Sequence, residues 1–415
     1  MLMKALAGAC LAFAVSIAAA HAEDVTVRLL HVNQTADPYW KQIAADYNAA
    51  HPGVKVIVDY MENEAYKAKL PTLLQSEDRP DIIYSWAGGV LNAQVEAGYI
   101  EDISAHRADF EKTVYGAPLG AYVIDGKLYG IPIQLSEVLL IYNKGLLDKA
   151  GVDPASLQSW DGFLAALKKT KGAGITPLIM GGGDKWPMHF VWSYLLMRIG
   201  GSDVLTTAKT TEGGFTAQPF VEAGVKLKEL AALEPFQEGW LGTKYLPSQG
   251  LFGDGKGAMV LQLNGFQQGQ QKNATDGKGI PDSQLGLAPF PSIDGGKGKV
   301  TDTLGGLQGF LVAKGAPPEA IDFLKYFASP EAQKAAAGSG VYVPAIKGTD
   351  AFITNPLVAE VARAIANSTW HQNFLDQDLG PSVGRVVNDI SVAIAAGEMT
   401  PEEGAQQIQE AWDQR

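Results

Sequence analysis

The sequence has almost no cysteine. Its single thiol, Cys10, lies within the first 22 residues, which read as a removable leader. A mature chain that begins after residue 22 therefore has no disulfide, no thiolate nucleophile and no cysteine metal site. Lipidation of Cys10 is the weaker interpretation, because Ala7 stands where a lipoprotein signal carries leucine.

The leader is defined by charge and side-chain size. Lys4 supplies a positive start, residues 5–20 form an apolar run without a charge, and small side chains follow at Ala20 and Ala22. This pattern predicts a secretory signal peptide over residues 1–22, because the run is too short and too poorly flanked to be a membrane anchor. We therefore expect the mature protein in the periplasm.

Beyond the leader, the sequence lacks both a basic run and a second long apolar run. The formal net charge is −12, which argues against nucleic acid or an anionic membrane surface as the partner. No later stretch approaches the roughly 20 apolar residues that span a bilayer. The remaining chain of about 390 residues is longer than one ordinary domain, so we expect two lobes.

A catalytic constellation is also missing from the sequence. No G-x-S-x-G motif occurs, and no two of the remaining histidines have the spacing of metal ligands on a helix: His31, His51, His106, His189 and His371. We therefore predict no catalytic residue, no metal and no cofactor. A glycosidase needs only two facing carboxylates, so a secreted glycoside-acting enzyme stays open as the alternative.

Strand and helix patterns alternate in the first third of the chain. Residues 25–32, 54–60 and 81–86 are apolar-rich strands, with helical patterns between them at residues 37–50 and 66–75. Strands separated by helices of this length predict an α/β fold with a parallel sheet. Ligands of such sheets bind beyond the carboxyl ends of the strands.

Later segments are predicted from local patterns. Residues 131–133, 138–142 and 176–180 read as separate strands, and the glycine-rich stretch 295–306 reads as a surface turn. Four helices of the last third are predicted to begin at prolines, because proline is tolerated where the first N–H has no helical partner: Pro317, Pro330, Pro356 and Pro401.

Several motifs resemble one protein family. In chain order they are Gly130-Ile131-Pro132 with Tyr142-Asn143-Lys144, residues 252–259 with Asn264-Gly265-Phe266, residues 305–310, Ser329-Pro330-Glu331, and Pro401-Glu402-Glu403. This ordered set resembles the extracellular solute-binding proteins of sugar-type ABC importers, and it covers nearly all of the mature chain.

The resemblance implies a two-lobed periplasmic binding protein fold. Each lobe is expected to hold a central sheet flanked by helices, and crossing segments form a hinge between the lobes. By analogy the N-terminal lobe takes residues 23–134 and 303–345, and the C-terminal lobe takes residues 139–300 and 350–415. The expected ligand is a mono- or oligosaccharide in the cleft, the expected partners are membrane permease subunits, and the expected state is a monomer.

Aromatic side chains are the expected platforms for a sugar, because a pyranose presents apolar C–H faces. Trp86 ends a predicted strand, and Trp186 follows a run of three glycines in the second lobe. Phe266 matches the aromatic residue that the family carries after Asn-Gly. Trp40 lies at a predicted helix start near the cleft.

Polar side chains are expected to pair with the sugar hydroxyls. The predicted ligand-binding residues of this kind are Asn63, Gln134, Ser136, Asn264, Gln308 and Asp376. Gln308 stands where the resemblance leads us to expect an aspartate, so the ligand contact at that position is open. A polyol or a polyamine is the alternative ligand.

Overall fold

A computed structural model describes residues 24–415 of the chain. The predicted signal peptide, including Cys10, lies outside the described residues. Within the described range, no helix combines the length and the apolar character needed to cross a bilayer.

The strands fall into one large sheet and one small hairpin. In chain order they are β1 (Val25–His31), β2 (Val54–Tyr60), β3 (Ile82–Trp86), β4 (Val123–Ile124), β5 (Lys127–Leu128), β6 (Gly130–Asn143), β7 (Met259–Leu263), β8 (Leu285–Ala288), β9 (Thr303–Val312), β10 (Val343–Pro344) and β11 (His371–Asn373). The hairpin is β4–β5, and the other strands join the large sheet.

The helices of the first half are α1 (Asp37–Ala50), α2 (Asn63–Leu73), α3 (Gly89–Glu96), α4 (Arg107–Thr113), α5 (Gly116–Gly120), α6 (Lys144–Lys149), α7 (Trp160–Gly172), α8 (Trp186–Gly200) and α9 (Val204–Thr210). Those that follow are α10 (Gln218–Ala231), α11 (Tyr245–Gly253), α12 (Phe266–Asn273), α13 (Glu319–Phe327), α14 (Pro330–Ser339), α15 (Pro356–Ala366), α16 (Leu375–Asp378), α17 (Pro381–Ala396) and α18 (Pro401–Asp413).

The first three strands confirm the predicted α/β pattern. β1 pairs in parallel with β2 and with β3, and α1 and α2 connect them in chain order. α1 buries Trp40, Ile43, Ala44 and Tyr47, which recur at the helical period and face the sheet core. β3 then pairs with β9 in antiparallel orientation, which extends the sheet toward β6.

β6 connects the two halves of the molecule. Its first part, Gly130–Glu137, pairs with β9, and its second part, Val138–Asn143, pairs with β7 and β8. The prediction of two separate strands here was wrong, because the polar residues between the apolar runs stay within the backbone ladder. The register shifts only between Pro132 and Gln134, next to a residue that has no N–H to donate.

Two further local predictions were wrong. Gly305 and Gly306 lie inside β9 and not in a surface turn, because a Cβ at these positions would overlap the Ser136 carbonyl oxygen and the Phe374 ring. Residues 176–180 form no named strand; Leu178 makes only isolated bridges, to Phe236 and Met259. Glycine is required at positions 305 and 306 by the close approach of the β6 backbone and the Phe374 ring, and not by a turn.

Candidate functional site

A cleft of ≈ 150 Å³ lies between the two halves of the sheet. The loop after β1 contributes Asn33, and the end of β3 contributes Trp86. From the other half, α8 contributes Trp186 at its first residue, and the loop after β7 contributes Asn264. The carboxyl ends of the parallel strands therefore face the cleft, as the fold class leads one to expect.

The structure brings eight of the ten predicted ligand-binding residues to this cleft. They are Asn63, Trp86, Gln134, Ser136, Trp186, Asn264, Gln308 and Asp376. The remaining two, Trp40 and Phe266, do not line it.

Trp86 lies against the N-terminal wall of the cleft and is 9 % exposed. The Tyr84 ring meets it edge-on, with centroids 5.3 Å apart and an interplanar angle of 84°. The Lys67 Nζ atom lies 5.5 Å from the Trp86 ring centroid, within reach of a cation–π interaction. Trp86 is thus held in place by two side chains of its own half.

Trp186 occupies the opposite wall and is 7 % exposed. Its ring packs against Tyr245, at a centroid distance of 4.7 Å, and against Phe190, at 5.4 Å. Both neighbours also line the cleft. The C-terminal wall is therefore an aromatic cluster, while the N-terminal wall combines one tryptophan with charged and polar groups.

The floor of the cleft is a row of polar side chains on β6 and β9. Gln134 accepts a hydrogen bond from Asn33 (3.1 Å) and donates to the Tyr84 hydroxyl (3.3 Å). Gln308 donates from Nε2 to the Ser136 hydroxyl over 2.8 Å. These bonds hold the side chains at fixed angles, so a ligand meets pre-ordered groups.

Asn264 joins the two halves through the backbone of β6. Its Oδ1 atom accepts from the Glu137 N–H at 3.1 Å, and its own backbone N–H donates to the Glu137 carbonyl at 3.0 Å. The paired bonds fix the side chain, and its Nδ2 has no acceptor among the described residues. That N–H₂ group is free to donate into the cleft.

Asp376 and His189 form a buried polar pair at one end of the cleft. Asp376 Oδ2 accepts from Gln377 (2.9 Å) and Asn388 (3.2 Å), and its Oδ1 lies 3.7 Å from His189 Nε2. His189 Nδ1 bonds the Trp186 carbonyl at 2.7 Å, which requires the proton on Nδ1. Burial lowers the pKa of His189 more than Asp376 raises it, so the neutral ring leaves Nε2 as an acceptor.

Trp40 and Phe266 lie in the interior of the protein and not at the cleft. Trp40 is 0 % exposed and donates from Nε1 to the Tyr342 hydroxyl at 2.8 Å. Phe266, also 0 % exposed, opens α12 and packs on Phe252 at a centroid distance of 5.7 Å. Neither ring has a free face, so neither belongs to the ligand site.

Several cleft residues were missed at the sequence level, and helical spacing identifies two of them. Lys67 lies one turn after Asn63 on α2, and His189 lies one turn after Trp186 on α8. Residues three or four apart share one helix face, so each predicted contact points to its neighbour. Helical spacing does not identify Phe374, which follows β11, or Tyr60, which ends β2. For Tyr60 the available signal was its place at the carboxyl end of a parallel strand.

The sequence matches the family model described as bacterial extracellular solute-binding protein over residues 32–334. The chain belongs to this family. One curated relative is an uncharacterized ABC transporter extracellular-binding protein of Pyrococcus horikoshii, 26% identical over 166 residues. That match covers 39% of this chain and 38% of the relative, so the chain spans well under two thirds of that relative's length.

Solved structures match over almost the whole described chain. A protein solved in connection with xylan utilization by the thermophilic bacterium Caldanaerobius polysaccharolyticus is 25% identical, with a TM-score of 0.86, and covers 93% of this chain and 99% of its own. A chitin oligosaccharide binding protein is 24% identical, with a TM-score of 0.84, and covers 94% and 98%. The predicted two-lobed binding protein fold is confirmed by this likeness.

Proposed function

We propose that the protein captures a mono- or short oligosaccharide in the cleft and delivers it to the permease subunits of an ABC importer. One observation carries the proposal: Trp86 and Trp186, from opposite halves of the molecule, line one cleft together with the amides of Gln134, Asn264 and Gln308. Aromatic faces pack on sugar C–H groups, and planar amides pair with hydroxyls.

The relatives support a carbohydrate ligand. The structure linked to xylan utilization is similar over nearly its full length, and the chitin oligosaccharide binding protein has the same fold. Both concern polymers of pyranose rings. We extend the substrate class, a carbohydrate, to this chain, and a ligand screen identifies the rings and their number.

A binding role, as opposed to hydrolysis, is part of the proposal. The carboxylates that line the cleft are Glu62 and Asp376. Each is engaged within the protein: Glu62 accepts from the backbone N–H groups of Glu64 and Ala65, and Asp376 accepts from two amides. A general acid and a nucleophile would instead need to face the scissile bond from two sides.

The cellular setting and the lobe boundaries are proposed with the function. We place the mature protein in the periplasm as a monomer, after removal of residues 1–22. The lobes are residues 23–134 with 303–345, and residues 139–300 with 350–415. Support for a boundary near residue 138 comes from β6, which pairs with β9 up to Glu137 and with β7 from Val138.

A thermal-shift screen tests the proposal. The mature protein is scanned with neutral mono- and oligosaccharides, polyols and spermidine, and the reaction mixtures are then analysed for released sugars. We expect a neutral saccharide to raise the melting temperature, because a ligand at 100 times its Kd stabilises the native state by about 2.7 kcal/mol. Stabilisation by polyols alone, or hydrolysis of a glycoside at enzymatic rates, would contradict the proposal.

A further inference from the structure

A second cavity, of ≈ 220 Å³, lies behind β6. Glu137 and Leu139 line it, whereas Gln134 and Ser136 line the cleft. Leu135 also lines the cleft, and no residue lines both spaces. The second cavity is therefore a site distinct from the cleft.

The walls of this cavity are mainly aliphatic. They come from β6, β8, the segment before β9, and α15, through Leu139, Leu287, Val300, Val361 and Ala364. An engineered apolar cavity of about 150 Å³ already holds benzene. A space of this size and lining thus accommodates a compact hydrocarbon group.

Glu137 is the most buried polar side chain of the cavity, which Thr301, Thr303 and Asn367 also line. The residue is 2 % exposed, and its Oε2 atom is buried without a hydrogen-bond partner among residues 24–415. Leaving a buried acceptor unpaired is costly. The nearby Arg198 does not supply the bond, because its guanidinium donates to backbone carbonyls instead, those of Phe290, Pro291, Val300 and Asp302.

The two ionisable side chains that line the cavity are both carboxylic acids, and the nearby Arg198 guanidinium lies outside the lining. Glu360, on the exposed side of α15, is the other ionisable residue among those that line it, and no lysine, arginine or histidine does so. Two carboxyl groups and aliphatic walls are complementary to a molecule with a positive head and an apolar body. An anion finds no cationic side chain among the residues that line the cavity.

We propose that this cavity binds a small primary amine with a short apolar tail, whose ammonium group pairs with Glu137 while the tail packs against Leu139, Val300 and Val361. The ammonium supplies the hydrogen bond that Oε2 lacks. In the absence of such a ligand, burial raises the pKa of the Glu137 carboxyl to about 8. An ammonium favours the carboxylate form, so binding strengthens as the pH rises from 6 toward that value.

Isobutylammonium chloride is the probe, and isobutanol is its neutral control of nearly the same shape. Calorimetric titration of the full mature protein is expected to give saturable binding of the amine, with a Kd of about 1 mM or tighter, and binding of the alcohol at least about tenfold weaker. This comparison uses only the wild-type protein, so it does not depend on the folding of any variant.

Two variants locate the site. Glu137→Gln removes the charge and keeps the shape, and Ala364→Phe fills the cavity without touching the carboxyl group; each is expected to weaken amine binding at least about tenfold. Glu96→Gln, at an exposed position of α3 outside the cavity, is the matched control and is expected to leave amine binding unchanged. If spermidine raises the melting temperature in the thermal-shift screen, that measurement is repeated with Glu137→Gln. Loss of the shift in the variant assigns spermidine to this cavity, and an unchanged shift assigns it to the cleft.

Equal affinity for isobutylammonium and isobutanol would overturn the proposal. So would an amine affinity unchanged in both Glu137→Gln and Ala364→Phe, or an absence of saturable binding to the wild type up to tens of millimolar. None of these results would bear on sugar binding in the cleft.

Discussion

Ser136 and Glu137 are neighbours on β6 with opposite surroundings. The Ser136 hydroxyl contacts Gln308 at the floor of the cleft, whereas the Glu137 carboxyl is buried behind the strand with its pKa raised to about 8. Desolvation is the main cause of this rise, and Arg198 offsets it only in part. A buried acid of this kind makes stability depend on pH.

The sign of this dependence is set by the two pKa values of Glu137. Below about pH 4.5 the carboxyl holds its proton in both the native and the unfolded state, so it gives the free energy of unfolding no pH dependence there. Between there and about pH 8 the unfolded chain releases the proton while the native state keeps it. The native state then binds more protons, and stability falls as the pH rises.

Glu137→Gln is therefore expected to raise the free energy of unfolding more at about pH 8 than at about pH 4, by on the order of 1 kcal/mol or more. Urea unfolding of both proteins at the two pH values measures this difference. Glu360→Gln serves as the control, because its exposed carboxylate is solvated in the native and the unfolded protein alike. The same change in stability at both pH values would show that Glu137 is not desolvated.

At the scale of elements, β9 depends on its glycines. A Cβ on Gly305 would overlap the Ser136 carbonyl oxygen and lie 2.7 Å from His371 Cε1. Gly305→Ala is expected to lower the free energy of unfolding by about 1–3 kcal/mol, because neither the β6 backbone nor the half-buried histidine can move freely.

The matched control for Gly305 is Gly338→Ala in α14. A Cβ there meets its nearest neighbour, the Phe352 carbonyl oxygen, at 3.5 Å, which is ordinary contact. Alanine at that position is expected to be neutral or to stabilise by about 0.5 kcal/mol. Denaturant unfolding of the two variants compares them directly, and equal stabilities for the two would contradict the requirement for glycine in β9.

Elements with a local signal could be predicted from the sequence. β2 matches residues 54–60, and α14, α15 and α18 begin at the prolines that were expected to open them. The helix predicted to begin at Pro317 begins instead at Glu319. The continuity of β6 and the strand character of Gly305 have no local signal, because both depend on a partner distant in the chain. The strand predicted at residues 176–180 is reduced to single bridges at Leu178, and Pro177 beside it has no N–H to donate to a ladder.

The residues of the candidate site also divide into those with a local sequence signal and those placed by distant partners. Polar and aromatic residues at the ends of elements, such as Trp86 and Asn264, could be placed near the cleft because the fold class brings those ends together. The inward turn of Phe266 could not be foreseen, since Gly265 and Asn264 beside it do face the cleft. Packing against Phe252 of α11, and not a local sequence pattern, brings the Phe266 side chain into the core.

At the scale of the whole molecule, the two halves meet through β6, β9 and β11 and through contacts at the cleft rim. Lys272 on α12 donates to the Gln34 carbonyl at 3.0 Å, and Asn373 donates to the Ala87 carbonyl at 2.9 Å. A ligand held between Trp86 and Trp186 adds a further link between the halves. Capture by closure of the two lobes is consistent with this arrangement.

The most direct test is calorimetric titration of the saccharide found in the screen into the wild type, Trp86→Ala and Trp412→Ala. Trp412 is a half-buried tryptophan on α18, outside the cleft. We predict one site per chain, affinity about tenfold weaker or more in Trp86→Ala through the loss of aromatic packing, and unchanged affinity in Trp412→Ala. Unchanged affinity in Trp86→Ala, with the fold intact, would contradict a sugar site in this cleft.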